Sequence, residues 1–129
     1  MATRRARRGA RILAAALGVA VWSLIAGGEA AEVMVYTARA HYGQEPAMEA
    51  FTKKTGIVVR SFGGESGALF ERLKAEGDKT PADVLISVDA GNLWNAARAG
   101  LLGKVDSPEI QANVPAHLRD PENRWVGHE

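Results

Sequence analysis

From residue 32 onward, short runs of strand-like residues give way to helically spaced apolar positions, three times in succession. Residues 32–37 (EVMVYT) are β-branched and aromatic and predict a strand. Residues 46–54 place Ala47, Met48, Ala50 and Phe51 on one helical face. Pro46 suits the first helical position, and Gly56 stands where a C-cap belongs. Residues 57–60 predict a second strand. After Gly63-Gly64-Glu65, Ser66 is expected to cap a helix over residues 68–76, with Leu69, Phe70 and Leu73 inward and Gly77 ending it. Residues 78–81 (DKTP) read as a turn. Residues 82–88 contain Val84-Leu85-Ile86, an apolar run suited to a parallel strand buried on both faces. A third helix is expected over residues 89–99, starting near Asp89 and stopping at Gly100, with Trp94, Ala97 and Leu101 toward the core. Ser107-Pro108 opens a further short helical turn.

The alternation β-α-β-α-β-α with short connections predicts the α/β class, with a mostly parallel sheet and flanking helices. Ligands of such sheets bind at the carboxyl ends of the strands, where loops run into helix N-termini. Three loops meet that description: residues 38–45, 62–66 and 87–92.

Ahead of this unit lies a different pattern. Arg4, Arg5, Arg7, Arg8 and Arg11 form a basic start, and residues 12–26 are uncharged and mostly apolar. Gly27-Gly28-Glu29-Ala30 follows. This is the order of a secretory signal peptide cut at small residues, expected over residues 1–30. As a helix the apolar run would rise about 22 Å, short of the ~30 Å hydrocarbon core, which disfavours a retained anchor. Residues 31–129 are then expected to act outside the cytoplasm, with the export route left open. At the other end, residues 124–129 read as a strand beginning, so a fragment of a longer protein is expected.

Charge reinforces this division. The whole chain of 129 residues is net +1, but residues 1–30 hold five Arg and one Glu. The remainder carries 11 basic and 14 acidic residues, net −3, with no Lys/Arg cluster. A nucleic-acid partner therefore has no electrostatic footprint. The chain has no cysteine, which removes thiolate metal sites and thiol nucleophiles.

The candidate chemistry sits in the three loops. Tyr36-Thr37-Ala38-Arg39-Ala40-His41-Tyr42 gathers phenol, guanidinium and imidazole groups. A hard trivalent cation favours phenolate and carboxylate oxygen and accepts imidazole, so His41 and Tyr42 are candidate metal ligands. The plainer reading is a solvated loop with Tyr42 packed on the sheet. Residues 63–67 (GGESG) open a helix whose N–H groups could hold an anion near Ser66. Asp89 either caps the third helix or faces the cleft, and the cap is favoured. Asp83 is expected to bond backbone N–H groups at the strand entrance. His117 and His128 lack nearby ligand partners and read as surface residues. An exported α/β hydrolase would need a Gly-x-Ser-x-Gly elbow, which Gly64-Glu65-Ser66-Gly67 lacks.

In order, the segments VMVYTAR (33–39), FTKKTGIVV (51–59), LKAEG (73–77), PADVL (81–85), VDAGNLW (88–94), AGLL (99–102) and VPAHLRDP (114–121) resemble the periplasmic ferric-ion-binding proteins of ABC-type iron uptake systems. The resemblance runs from about residue 32 to 127. It implies a two-lobed solute-binding protein, no enzyme activity, periplasmic location, a monomer, and delivery of Fe(III) to an inner-membrane ABC permease. It implies that residues 31–129 form part of the first lobe, a partial periplasmic-binding-protein lobe. The family's first-strand loop contributes a His, a Tyr or both to the metal, which falls on His41 and Tyr42. Arg39, Ser66 and Asp89 would line the cleft or a companion anion's site. Two departures stand out. Ala40 intervenes where Arg runs directly into His-Tyr in the family, and Val88 occupies a position where some members carry a Glu ligand. A same-fold carrier of another solute, an anion or a polyamine, is the alternative.

Overall fold

The computed structural model describes residues 30–40 and 45–127. Residues 1–29, where the export signal is expected, and His41, Tyr42 and His128 lie outside the described residues. Strand β1 spans Glu32–Thr37, helix α1 Pro46–Thr55, β2 Val58–Gly63, α2 Ser66–Glu76, β3 Val84–Ile86, α3 Ala90–Arg98 and α4 Pro108–Asn113. The three strands form one parallel sheet in the order β2-β1-β3, as the alternation of elements predicted.

β1 is central because its residues can be buried on both sides. Tyr36 pairs with Phe62 of β2 and Leu85 of β3. Successive side chains of a strand face opposite ways. Tyr36 and Ala38 meet Leu69 and Leu73 of α2, with Met34, Leu85 and Leu101 packed around them. This small core fixes α2 against the sheet. The Tyr36 hydroxyl adds a polar anchor, donating to the Glu76 carboxylate at 3.0 Å. That carboxylate also accepts from Thr80 Oγ1 (2.7 Å) and Arg72 Nε (2.7 Å). The Thr80 bond first, then Arg72, holds the Glu76 carboxyl below its ordinary value. The Arg72 guanidinium in turn lies 4.1 Å from the Phe62 ring centroid.

Several local expectations are met by hydrogen bonds that short sequence motifs specify. Gly56 closes α1 at φ 75°, a left-handed conformation that glycine adopts without Cβ strain. Gly100 (φ 74°) ends α3 in a Schellman turn: its N–H donates to Ala97 O, and Leu101 N–H donates to Ala96 O. Ser107 Oγ accepts from Ile110 N–H ahead of Pro108. At the entrance of β3, Asp83 Oδ2 accepts from Met34 N–H at 2.8 Å, while Asp83 N–H donates to Met34 O.

Four expectations are corrected. The N-cap of α2 is Glu65, without a side-chain cap bond, and Ser66 is already helical. Trp94 is 48% exposed, its ring covered by the Arg98 guanidinium 4.6 Å away. Ala97 is buried and Leu101 packs against the core, as expected, but Ala96 and the half-buried Leu93 take the inward place that Trp94 was expected to fill. α1 buries none of its residues, and Phe51, expected on its apolar face, is exposed. β3 is only three residues long and lies at an edge, which leaves Val84 exposed.

Candidate functional site

Because all three strands run the same way, Thr37, Gly63 and Ile86 end at one edge of the sheet. Direct bonds knit the loops that leave it. Ala38 N–H donates to Ile86 O (2.8 Å) and Gly64 N–H to Thr37 O (3.2 Å). Arg39 N–H donates to Thr37 Oγ1 at 3.0 Å. Ser87 Oγ donates to Ser66 Oγ at 3.2 Å, joining the β3 loop to the start of α2. The first two loops approach so closely that a Cβ on Gly63 would overlap Ala40 Cβ. Ala40 therefore sits against a glycine that makes room for it.

Of the sequence-predicted site residues, Arg39, Ser66 and Asp89 lie on this edge. Arg39 Nε donates to Glu45 Oε1 at 2.8 Å, which ties together the residues on either side of segment 41–44. Asp89 serves as the N-cap of α3: Oδ1 accepts from Asn92 N–H and Oδ2 from Asn92 Nδ2, both at 2.8 Å. The Asn92 backbone bond, then its side-chain bond, holds the Asp89 carboxyl below its usual value. Both carboxylate oxygens are thus engaged within α3, as the cap reading expected.

Two cavities flank the edge. One, of about 550 Å³, lies between α1 and the sheet and is bordered by Thr37, Arg39, Met48, Thr52 and Ser61. The other, of about 920 Å³, runs along β3 and is bordered by Arg39, Glu45, Ser87, Asp89, His117 and Trp125. Arg39 and Glu45 border both, so the pair stands between them. Glu45, Ser87 and His117 were not singled out as site residues in the sequence. Glu45 had a usable signal, an acid six residues after Arg39 and directly before Pro46. His117 is exposed, as expected, yet borders the larger cavity because residues 116–118 form a 3-10 turn beside β3. Among the described residues no three His, Cys, Asp or Glu side chains gather as a metal site.

Loops held over the carboxyl edge of a parallel sheet, by bonds that position rather than react, define the ligand-holding edge of an α/β binding lobe. The profile of the family described as bacterial extracellular solute-binding protein matches residues 21–120, and the chain belongs to that family. It is a family of solute-binding proteins, not of enzymes, which sets aside the hydrolase reading. Over 101 residues the chain is 42% identical to iron uptake protein A1 of Synechocystis sp., covering 78% of this chain and 28% of that protein. It is 33% identical over 99 residues to the major ferric iron-binding protein of Neisseria gonorrhoeae, covering 77% and 28%. Among solved structures, the Trichodesmium FutA protein in complex with iron and citrate superposes with a TM-score of 0.70 at 43% identity, covering 74% of this chain and 30% of that one. Ferric iron-binding protein A of Mannheimia haemolytica, in an open conformation, gives 0.69 at 40% identity, covering 76% and 31%. The chain thus spans under a third of the length of these relatives.

Proposed function

We propose that this chain supplies the opening part of the first lobe of a periplasmic Fe(III)-binding protein serving an ABC-type uptake system. The observation that carries the reading is the convergence of three strand-end loops at one sheet edge, in a chain similar to proteins named for ferric-iron binding. In this reading residues 1–30 are the export signal and residues 31–129 belong to the lobe. The segment between Arg39 and Glu45 presents His41 and Tyr42 to the metal, its base fixed by their ion pair. A phenolate and an imidazole suit Fe(III), and the remaining ligands come from outside this chain. Ser66 and Arg39 lie where a companion anion would be held. Asp89 caps α3 and so shapes the loop after β3 that borders the cleft. The lobe closes on iron by a hinge motion and hands it to an inner-membrane permease, acting as a monomer.

Equilibrium dialysis of the product of the complete reading frame against Fe(III) with citrate tests this. Near-stoichiometric retention is expected, falling by about tenfold or more when His41→Ala and Tyr42→Ala are combined. No retention by the unaltered protein overturns the iron reading. Full retention by the double variant overturns the assignment of these two residues.

A further inference from the structure

Charge at the strand-end edge is closely balanced. The cavity between α1 and the sheet is bordered by the cations Arg39 and Lys53 and by the carboxylates Glu45 and Glu49. The cavity along β3 is bordered by Arg39 and His117 and by Glu45 and Asp89. Among the described residues Arg39 is the one guanidinium at either cavity, and it borders both. A guanidinium is always charged and its planar fork matches a carboxylate, so Arg39 is the edge's best anion holder. The three carboxylates are not equivalent. Asp89 is engaged in capping α3. Glu49 is exposed, where water and salt screen its charge. Glu45 is the N-cap residue of α1 but makes no side-chain cap bond, in a place where short Ser, Thr, Asp or Asn side chains do the capping. Its carboxylate reaches back to Arg39 Nε at 2.8 Å, and the Glu45 and Arg39 side chains are only 26% and 33% exposed. Both ends of the pair are anchored through the backbone. Met48 N–H donates to Glu45 O (2.9 Å), and Arg39 N–H to Oγ1 of the buried Thr37.

We propose that Glu45 is a specificity-determining residue that keeps the site from taking a small carboxylate anion in the absence of a metal cation. Its carboxylate neutralises Arg39, so an anion arriving alone meets no net positive charge at either cavity. A metal cation held beside the edge supplies the missing charge, and the anion is then held along with it. Free anions therefore do not occupy the site ahead of the metal. The proposal rests on the reading of Arg39 as the residue beside a companion anion, and it is independent of which residues ligate the metal.

Calorimetric titration of the product of the complete reading frame with citrate, without iron and at fixed pH and ionic strength, tests this. Glu45→Gln keeps the shape of the side chain and removes no cap bond, so α1 should stay intact. It should bind citrate about tenfold more tightly than the unaltered protein, because the Arg39 charge is no longer matched. Glu49→Gln removes a carboxylate from the same helix and should stay within about twofold of the unaltered protein. Combining Glu45→Gln with Arg39→Gln should abolish the gain. Unchanged citrate affinity in Glu45→Gln, or an equal gain in Glu49→Gln, overturns the proposal. A gain that survives Arg39→Gln, or citrate binding by the unaltered iron-free protein as tight as that of Glu45→Gln, also overturns it. Iron retention is read separately by dialysis, so either claim can fail alone.

Discussion

Replacing Leu69 by Ala tests the link between the core and the loop edge. Leu69 is 1% exposed and packs among Tyr36, Ala38 and Leu73. It also lies beneath the β2 loop, where a Cβ added to Gly64 would come within 3.1 Å of its Cδ2. The substitution removes an isopropyl group. At about 0.8 kcal/mol per buried carbon, transfer alone accounts for roughly 2.4 kcal/mol. The cavity left behind adds to this, since a strand on one side and a helix on the other limit collapse, and the total should be about 3–4 kcal/mol. A domain of this size has only about 5–15 kcal/mol of stability, so the loss is a large share of it. Urea unfolding followed by tryptophan fluorescence measures the effect. With a slope of about 1–2 kcal/mol/M, the midpoint should fall by about 2 M without a change of slope. A fall below about 0.5 M would show that α2 does not depend on this contact, and the packing argument would fail.

Other outcomes follow from single contacts. Asp89→Ala removes the α3 cap and should cost about 1 kcal/mol in the same urea assay, whereas Asp89→Asn, which keeps an acceptor, should cost less. Asp120 is buried and accepts from Arg124 Nε at 2.7 Å, and that bond holds its carboxyl below the ordinary value. A depressed folded value means stability that is complete above the unfolded value of about 4 and lost as pH falls through the folded one. Urea midpoints measured at successively lower pH should therefore drop less steeply for Asp120→Asn than for the unaltered chain, and parallel curves would contradict the ion-pair argument. Gly63→Ala should strain the meeting of the β1 and β2 loops and lower the thermal midpoint, and adding Ala40→Gly should restore most of the loss. A double variant as unstable as the single one would separate the two positions.

The legible parts of this chain were those fixed by local hydrogen bonding. Gly56, Asp83, Asp89, Gly100 and Ser107 act within a few residues or at a strand entrance, and composition shows their roles. The order of elements also sufficed for a parallel sheet, because short α connections between strands permit little else. What escaped depended on where separate elements meet. Trp94 fits an inward stripe with Ala97 and Leu101 by spacing, yet only those two turn inward, with Leu93 and Ala96 beside them, and Trp94 stays exposed. Val84 reads as buried because its neighbours are apolar, but edge position is a property of the sheet and not of the strand. The Glu76 cluster joins residues 36, 72, 76 and 80 from β1, α2 and the turn after it, and the Ser66–Ser87 bond joins the start of α2 to the β3 loop, so neither has a local pattern. The resemblance, carried by ordered segments over nearly the whole of residues 32–127, pointed to the family that the comparison shows.

The central claim is that this chain brings a phenolate to ferric iron from the loop after its first strand. It is tested most directly by titrating the product of the complete reading frame with Fe(III) while recording the visible phenolate-to-iron charge-transfer absorption, for the unaltered protein and for Tyr42→Phe. The account predicts a saturable band that Tyr42→Phe weakens and shifts, with looser binding. An identical band and affinity in the variant, or no band in the unaltered protein, would contradict it.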